Sequence, residues 1–101
     1  SFNSNIGDGS ILMNHSLVNA GTKIGKNCII NTRAVIEHDV TIQDNCHIST
    51  GSIVNGNVKI EKNTFIGSGS IIFNNIKIGK NCIIGSGEIV KKNLKDGSIL
   101  K

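Results

Sequence analysis

Aliphatic residues recur at every sixth position of the chain without interruption, from Ile6, Leu12, Val18, Ile24 and Ile30 through Ile36, Ile42, Ile48, Val54 and Ile60 to Ile66, Ile72, Ile78, Ile84 and Val90. A period of six is neither the 3.6 of a helix nor the plain alternation of a long strand. Four residues after each aliphatic one comes a second residue that is usually small, as in Ser10, Thr22, Cys28, Ala34, Ser52 and Ser70, with Glu88 and Leu94 departing at the end. Two inward residues in every six describe a short strand and a corner, and repetition at a fixed short period marks a solenoid.

The corners have their own signature. Three residues after each aliphatic one the sequence reads Gly, Asn or Asp at thirteen of fifteen positions, the exceptions being His15 and Arg33. These are the residues that tolerate positive φ, so each hexapeptide ends in a sharp corner. Three corners close a triangular coil of eighteen residues, and Ile24-Gly25-Lys26-Asn27-Cys28 recurs as Ile78-Gly79-Lys80-Asn81-Cys82. The spacing predicts an all-β chain of parallel strands, about five and a half triangular coils in a single domain over residues 1–101. With nothing inserted between Ile6 and Val90, chemistry has to sit on corners and outer faces.

The residue before each aliphatic one points outward, because side chains alternate across a strand. These positions sort into three columns: Lys23, Thr41, Lys59, Lys77 and Lys95; Leu17, Val35, Ile53, Ile71 and Ile89; and Ile11, Ile29, His47, Phe65 and Ile83. The first reads as a solvated face. The other two would expose a large apolar area, and such patches mark partner surfaces. A homo-oligomer follows, and a threefold ring of prisms buries both faces with one heterologous contact. The competing reading is a further segment of chain covering one face.

Composition agrees with strands and turns. Nineteen isoleucines, fourteen asparagines, twelve glycines and no proline disfavour helices. The apolar runs, such as Ile71-Ile72-Phe73, fall far below the roughly 18 residues of a membrane span, and no signal peptide opens the chain, so neither a membrane nor export is expected. A net charge of +4 admits an acidic partner or a phosphate-bearing cofactor. Nucleic acid is disfavoured, because only Phe2, Phe65 and Phe73 are available for base stacking. The opening Ser-Phe-Asn reads as the start of a processed product or excised domain.

Three cysteines cannot close a disulfide framework, and with no CxxC or histidine-rich pair no metal is expected; a reducing cytoplasm fits best. Cys28, Cys46 and Cys82 fall in one inward column, as reduced packing residues without the exposure or basic neighbour of a catalytic thiol. The histidines are the acid–base candidates near neutral pH. His15 occupies a corner slot and reads as a surface residue, whereas His47 interrupts an apolar column. His38 lies between Glu37 and Asp39, where a carboxylate can orient an imidazole and make it more basic, as a general base needs.

The stretch Ile30-Asn31-Thr32-Arg33-Ala34-Val35-Ile36-Glu37-His38-Asp39, followed by Cys46-His47-Ile48-Ser49 and Gly56-Asn57-Val58, resembles the hexapeptide-repeat sugar acetyltransferases of the sialic acid O-acetyltransferase and bacillosamine-type N-acetyltransferase family. The likeness runs without a gap from about Ile6 to Gly97. It implies a left-handed parallel β-helix, a homotrimer, and acetyl-CoA lying between neighbouring prisms. By that resemblance His38 is the general base and Asp39 its modulator, Asn31 contacts substrate, and His47, Gly56, Ser68 and Ser86 contact the coenzyme. Gly67 and Gly85 stack on successive coils and remove side chains, which suits a backbone-lined track for a slender pantetheine arm; no helix follows them, so they form no dinucleotide fingerprint. The N-terminal α/β domain that holds a sugar nucleotide in that family, and its Gly-x-Pro-Ala-Lys tail, have no counterpart in this sequence.

The expected activity is direct transfer of an acetyl group from acetyl-CoA to a hydroxyl or amine of a bacterial sugar or nucleotide sugar. Three rivals are weighed against it. A non-catalytic trimerisation scaffold would need none of the histidines. A γ-class carbonic anhydrase would need three imidazoles around zinc, which the gaps of 23 and 9 residues between His15, His38 and His47 oppose. An ice-binding face would need a Thr-x-Thr ladder that no column carries.

Overall fold

The structure, a computed structural model, describes residues 4–101, so Phe2 and the opening Ser-Phe-Asn lie outside the described residues. Sixteen two-residue strands, β1 (Asn5–Ile6) to β16 (Ile99–Leu100), follow one another at the predicted spacing as far as β15 (Ile89–Val90). They form three parallel sheets, the walls of a triangular prism. Face one is β1-β4-β7-β10-β13, face two is β2-β5-β8-β11-β14-β16, and face three is β3-β6-β9-β12-β15. No described residue is helical. The fold is a parallel β-solenoid of about five turns, consistent with the left-handed β-helix of hexapeptide repeats.

Each strand pairs with the strand eighteen residues on, so identical positions stack: Ile24 on Ile42, Ile48 on Ile66, Ile36 on Val54. The aliphatic column from Ile30 to Ile84 is fully buried, each side chain worth about 1.5–3 kcal/mol of transfer free energy. The corners turn as the composition requires. Fourteen of the fifteen corner residues have positive φ, including His15 at 61° and Arg33 at 59°.

The last coil departs from the expected register. Leu94 bridges Ile78, and Leu100 pairs with Ile84, so this turn is sixteen residues long. Asn93 leaves the left-handed corner column, Leu94 packs against the core two residues early, and Gly97 takes the corner with φ 75°. Lys95 is thereby removed from the lysine column of face one, where Asn93 lies beside Lys77 and accepts its backbone N–H at 2.8 Å.

The outward columns follow the prediction. Face one carries Lys23, Thr41, Lys59 and Lys77. Faces two and three are apolar, with Ile11, Leu17, Ile83 and Ile89 exposed.

Candidate functional site

Three edges join the faces, and the site residues fall on two of them and on face two. His38 and Asp39 sit at the edge between faces three and one, in the corner between β6 (Val35–Ile36) and β7 (Thr41–Ile42). Asp39 holds φ 57°, the left-handed geometry of the corner. Its Oδ2 lies 3.2 Å from His38 Nδ1, and both side chains are about two-thirds exposed. An Nδ1–H donated to Asp39 leaves the lone pair on Nε2, which is the form a general base requires.

Two glycines make room for this pair. Asp39 Oδ1 lies against the α-carbon of Gly21, one coil earlier, where a Cβ would collide with it. The imidazole lies over Gly56, one coil later, and a Cβ there would be 2.7 Å from both Cε1 and Nε2. Gly56 is buried and has no positive φ, so its missing side chain serves the ring and not the turn. A groove of about 330 Å³ opens here, lined by Glu37, His38, Asn55, Gly56, Asn57, Asn74 and Asn75. Its polar walls are held in place: Asn19 Nδ2 donates to Glu37 Oε1 at 2.8 Å, Asn55 Nδ2 to the Ile72 carbonyl at 2.9 Å, and Asn57 Nδ2 to Asn75 Oδ1 at 2.9 Å.

The second group lies on face two and the edge between faces two and three. His47 stands in β8 (His47–Ile48) between Ile29 and Phe65. Its ring meets Phe65 edge-on at 5.3 Å, and its Nε2 is 3.3 Å from Asn31 Nδ2. Ser68 and Ser86 are exposed at the corners one and two coils above Thr50, beside Gly67 and Gly85. Coil stacking gives Gly67 its own reason to be glycine, since an added Cβ would stand 2.5 Å from the Gly85 carbonyl carbon and 2.6 Å from the Ser86 nitrogen. Gly7 has the same crowding against Gly25. Glycine at this position therefore has a stacking reason of its own, beside any track for a pantetheine arm.

The chain thus brings together His38, Asp39 and Gly56, and separately Asn31 and His47, while face three lies between the His38 edge and the Ser68–Ser86 edge. His15 occupies a further corner, between β2 (Ile11–Leu12) and β3 (Leu17–Val18), so the three histidines do not share one site. Gly21 and the groove asparagines escaped the sequence reading. Their signal was present in the eighteen-residue spacing that stacks Gly21 with Asp39 and Gly56 with His38.

The cysteines do more than fill space. Cys28 Sγ–H donates to the Gln43 carbonyl at 3.1 Å, and Cys46 Sγ–H to the Glu61 carbonyl at 3.2 Å, in the slots where Ser10 and Thr64 donate to Gly25 and Gly79. The neighbouring Cys46 thiol, opposed by burial, draws the Cys28 thiol below its ordinary value, and the same neighbourhood, reinforced by burial, pushes Cys46 up. Both are sealed in the core, away from the groove.

The family model described as bacterial transferase hexapeptide (six repeats) matches residues 3–38, 21–56 and 39–74, and that of the hexapeptide repeat of succinyl-transferase matches residues 57–92. No curated protein matches the sequence. Among solved structures, the chain is similar to the acetyltransferase domain of PglB from Neisseria gonorrhoeae in complex with acetyl coenzyme A, at 30% identity and a TM-score of 0.97, covering 98% of this chain and 48% of that one. A mutant of perosamine N-acetyltransferase from Caulobacter crescentus, in complex with CoA and GDP-perosamine, is 31% identical with a TM-score of 0.96, covering 98% and 47%. WeeI from Acinetobacter baumannii is 33% identical with a TM-score of 0.92, covering 95% and 48%. The chain spans about half the length of these structures.

Proposed function

The chain belongs to the bacterial transferase hexapeptide family, and from that premise we propose that it transfers an acetyl group from acetyl-CoA to a hydroxyl or amine of a sugar or nucleotide sugar, in the cytoplasm. The observation that carries the reading is the His38–Asp39 pair, oriented through Nδ1 and laid over Gly56 at the mouth of a polar groove. Acetyl-CoA, CoA and GDP-perosamine accompany the similar structures and supply the choice of coenzyme and acceptor class. Since those chains are about twice as long, residues 1–101 are read as the β-helix domain of a longer protein, whose other domain holds the sugar nucleotide.

In the proposed reaction His38 Nε2 takes the proton of the acceptor as its oxygen or nitrogen attacks the thioester carbonyl. A corner N–H stabilises the oxyanion, the C–S bond breaks, and the imidazolium returns its proton to the departing thiolate. Transfer is direct, because the three thiols are buried away from the groove. Asp39 keeps the imidazole in the reactive tautomer, and Asn31 serves the acceptor.

A second copy completes the site in this reading. Packing face three of one copy against face two of the next sets the His38 edge of the first beside His47 of the second. Gly56, His47, Ser68, Ser86 and the backbone at Gly67 and Gly85 then line the coenzyme cleft of a homotrimer. A non-catalytic scaffold would need neither His38 nor a glycine at position 56 to make room for its ring. Replacing His38→Ala should lower acetyl transfer by about 10²–10⁴-fold, the usual worth of a general base, while sedimentation shows an unchanged oligomer. An undiminished rate would remove His38 from this role.

A further inference from the structure

Among the described residues, nine that are not glycine hold positive φ, and seven of these are asparagine or aspartate. The two exceptions are His15 at 61° and Arg33 at 59°. They lie eighteen residues apart, so they occupy the same corner of consecutive coils, at the edge between faces two and three. The Arg33 N–H donates to the Asn14 carbonyl at 3.2 Å, which stacks one corner on the other. The next three corners of that column are Gly51, Gly69 and Gly87, the residue this backbone favours. Arg33 is the more strained of the pair, since histidine visits the left-handed region more readily. Both side chains are exposed, so packing does not compensate the strain. Uncompensated strain at two stacked positions points to a use for the side chains themselves.

Their chemistry is of one kind. Arg33 is the sole arginine in a chain with eleven lysines and arginines, and its planar guanidinium presents paired donors to an oxyanion where a lysine presents a point charge. His15 is the only ionisable side chain from Gly9 to Thr22, and Arg33 the only one from Asn27 to Ile36 besides the buried Cys28. No carboxylate neutralises them: the one ion pair among the described residues is His38–Asp39, on another edge. His47, one coil on in face two, turns to Asn31. Asn14 and Thr32, next to them in sequence, add an amide and a hydroxyl that can donate. We infer that His15 and Arg33 form a binding site for a doubly charged tetrahedral oxyanion, a phosphate or sulfate group, to which the histidine contributes when protonated. Two sources share that chemistry, the free inorganic ion and a phosphate ester. The site is two coils from Ser68 and on a different edge from His38, so it stands apart from the acetyl-transfer reading.

The test follows the Arg33 Nε–H and the Asn14 and Thr32 backbone amides by NMR during titration with sodium sulfate, against sodium chloride at matched ionic strength. Saturable shifts are expected at these groups with sulfate alone. Because sulfate keeps its charge, binding should tighten from about pH 7.5 to about pH 5.5, and His15→Asn should abolish that tightening. Arg33→Asn should weaken sulfate about tenfold or more, as for lost hydrogen bonds to a charged group. In chloride the same variant should melt above the wild type, because asparagine suits the corner that arginine strains. Arg33→Lys keeps the charge and the strain but loses the fork, so its affinity should fall without a rise in melting temperature. Inorganic phosphate and glucose 6-phosphate, titrated in turn, separate the sources: tighter binding of the ester assigns the site to esters, and equal binding assigns it to the free ion. Shifts that chloride reproduces, or a sulfate affinity unchanged in Arg33→Asn, overturn the site. So does an Arg33→Asn variant that melts at or below the wild type in chloride, since no strain would then be held for binding.

Discussion

Gly56 is the residue on which the geometry of the candidate base turns. Its backbone is ordinary, so alanine carries no conformational penalty, yet the added methyl would meet the His38 ring at 2.7 Å. Gly56→Ala should displace the imidazole and lower transfer by on the order of 10²-fold, the scale associated with an ångström of misplacement, with a melting temperature close to wild type. Activity near the wild-type level would show that the ring position over Gly56 is irrelevant. At this scale the sequence was informative about chemistry and silent about support. An imidazole beside an acid is legible in Glu37-His38-Asp39, and which acid it pairs with is not. The structure chooses Asp39 through Nδ1, while Glu37 turns to Asn19. The cysteine column was legible as buried, but its hydrogen bonds were not, because thiol donors appear only once Gln43 and Glu61 are placed one coil away.

The hexapeptide is an element whose corner is set by backbone sterics. Gly69 tests this cleanly: its φ is 69°, and an added Cβ would meet nothing within 4 Å, so packing does not enter. Gly69→Val should cost about 1–2 kcal/mol in denaturant unfolding, the price of left-handed geometry for an ordinary residue. Gly69→Asn, the residue that natural corners use, should cost less. Equal stability of the two variants would mean that the corners are not the strained points of the coil. Strand positions, faces and corners were all readable from the period of six, because stacking in register at eighteen residues forces every coil to repeat the one before. Only the sixteen-residue final coil broke that logic. Val90, Leu94 and Leu100 are all aliphatic, and choosing which of them lies inward required the pairing of Ile78 with Leu94 and of Ile84 with Leu100.

At the scale of the molecule, charge and apolar surface are segregated. Face one carries lysines, while faces two and three carry exposed Ile11, Leu17, Phe65, Ile83 and Ile89. The sequence foretold this because the outward columns are as regular as the inward ones. It did not foretell that the candidate residues divide between two edges and a face, since that follows from which corner each hexapeptide turns. With the proposed site shared between copies, catalytic competence becomes a property of the assembly. Outward aspartates at Leu17 and Ile71, both on face three and clear of the groove, would keep the coil intact and place unpaired charge in an apolar contact. The decisive measurement is the acetyl-CoA affinity of this L17D/I71D variant, once sedimentation shows it monomeric and melting shows it folded. Affinity abolished in the monomer is the predicted result, whereas wild-type affinity in a folded monomer would contradict a site shared between copies.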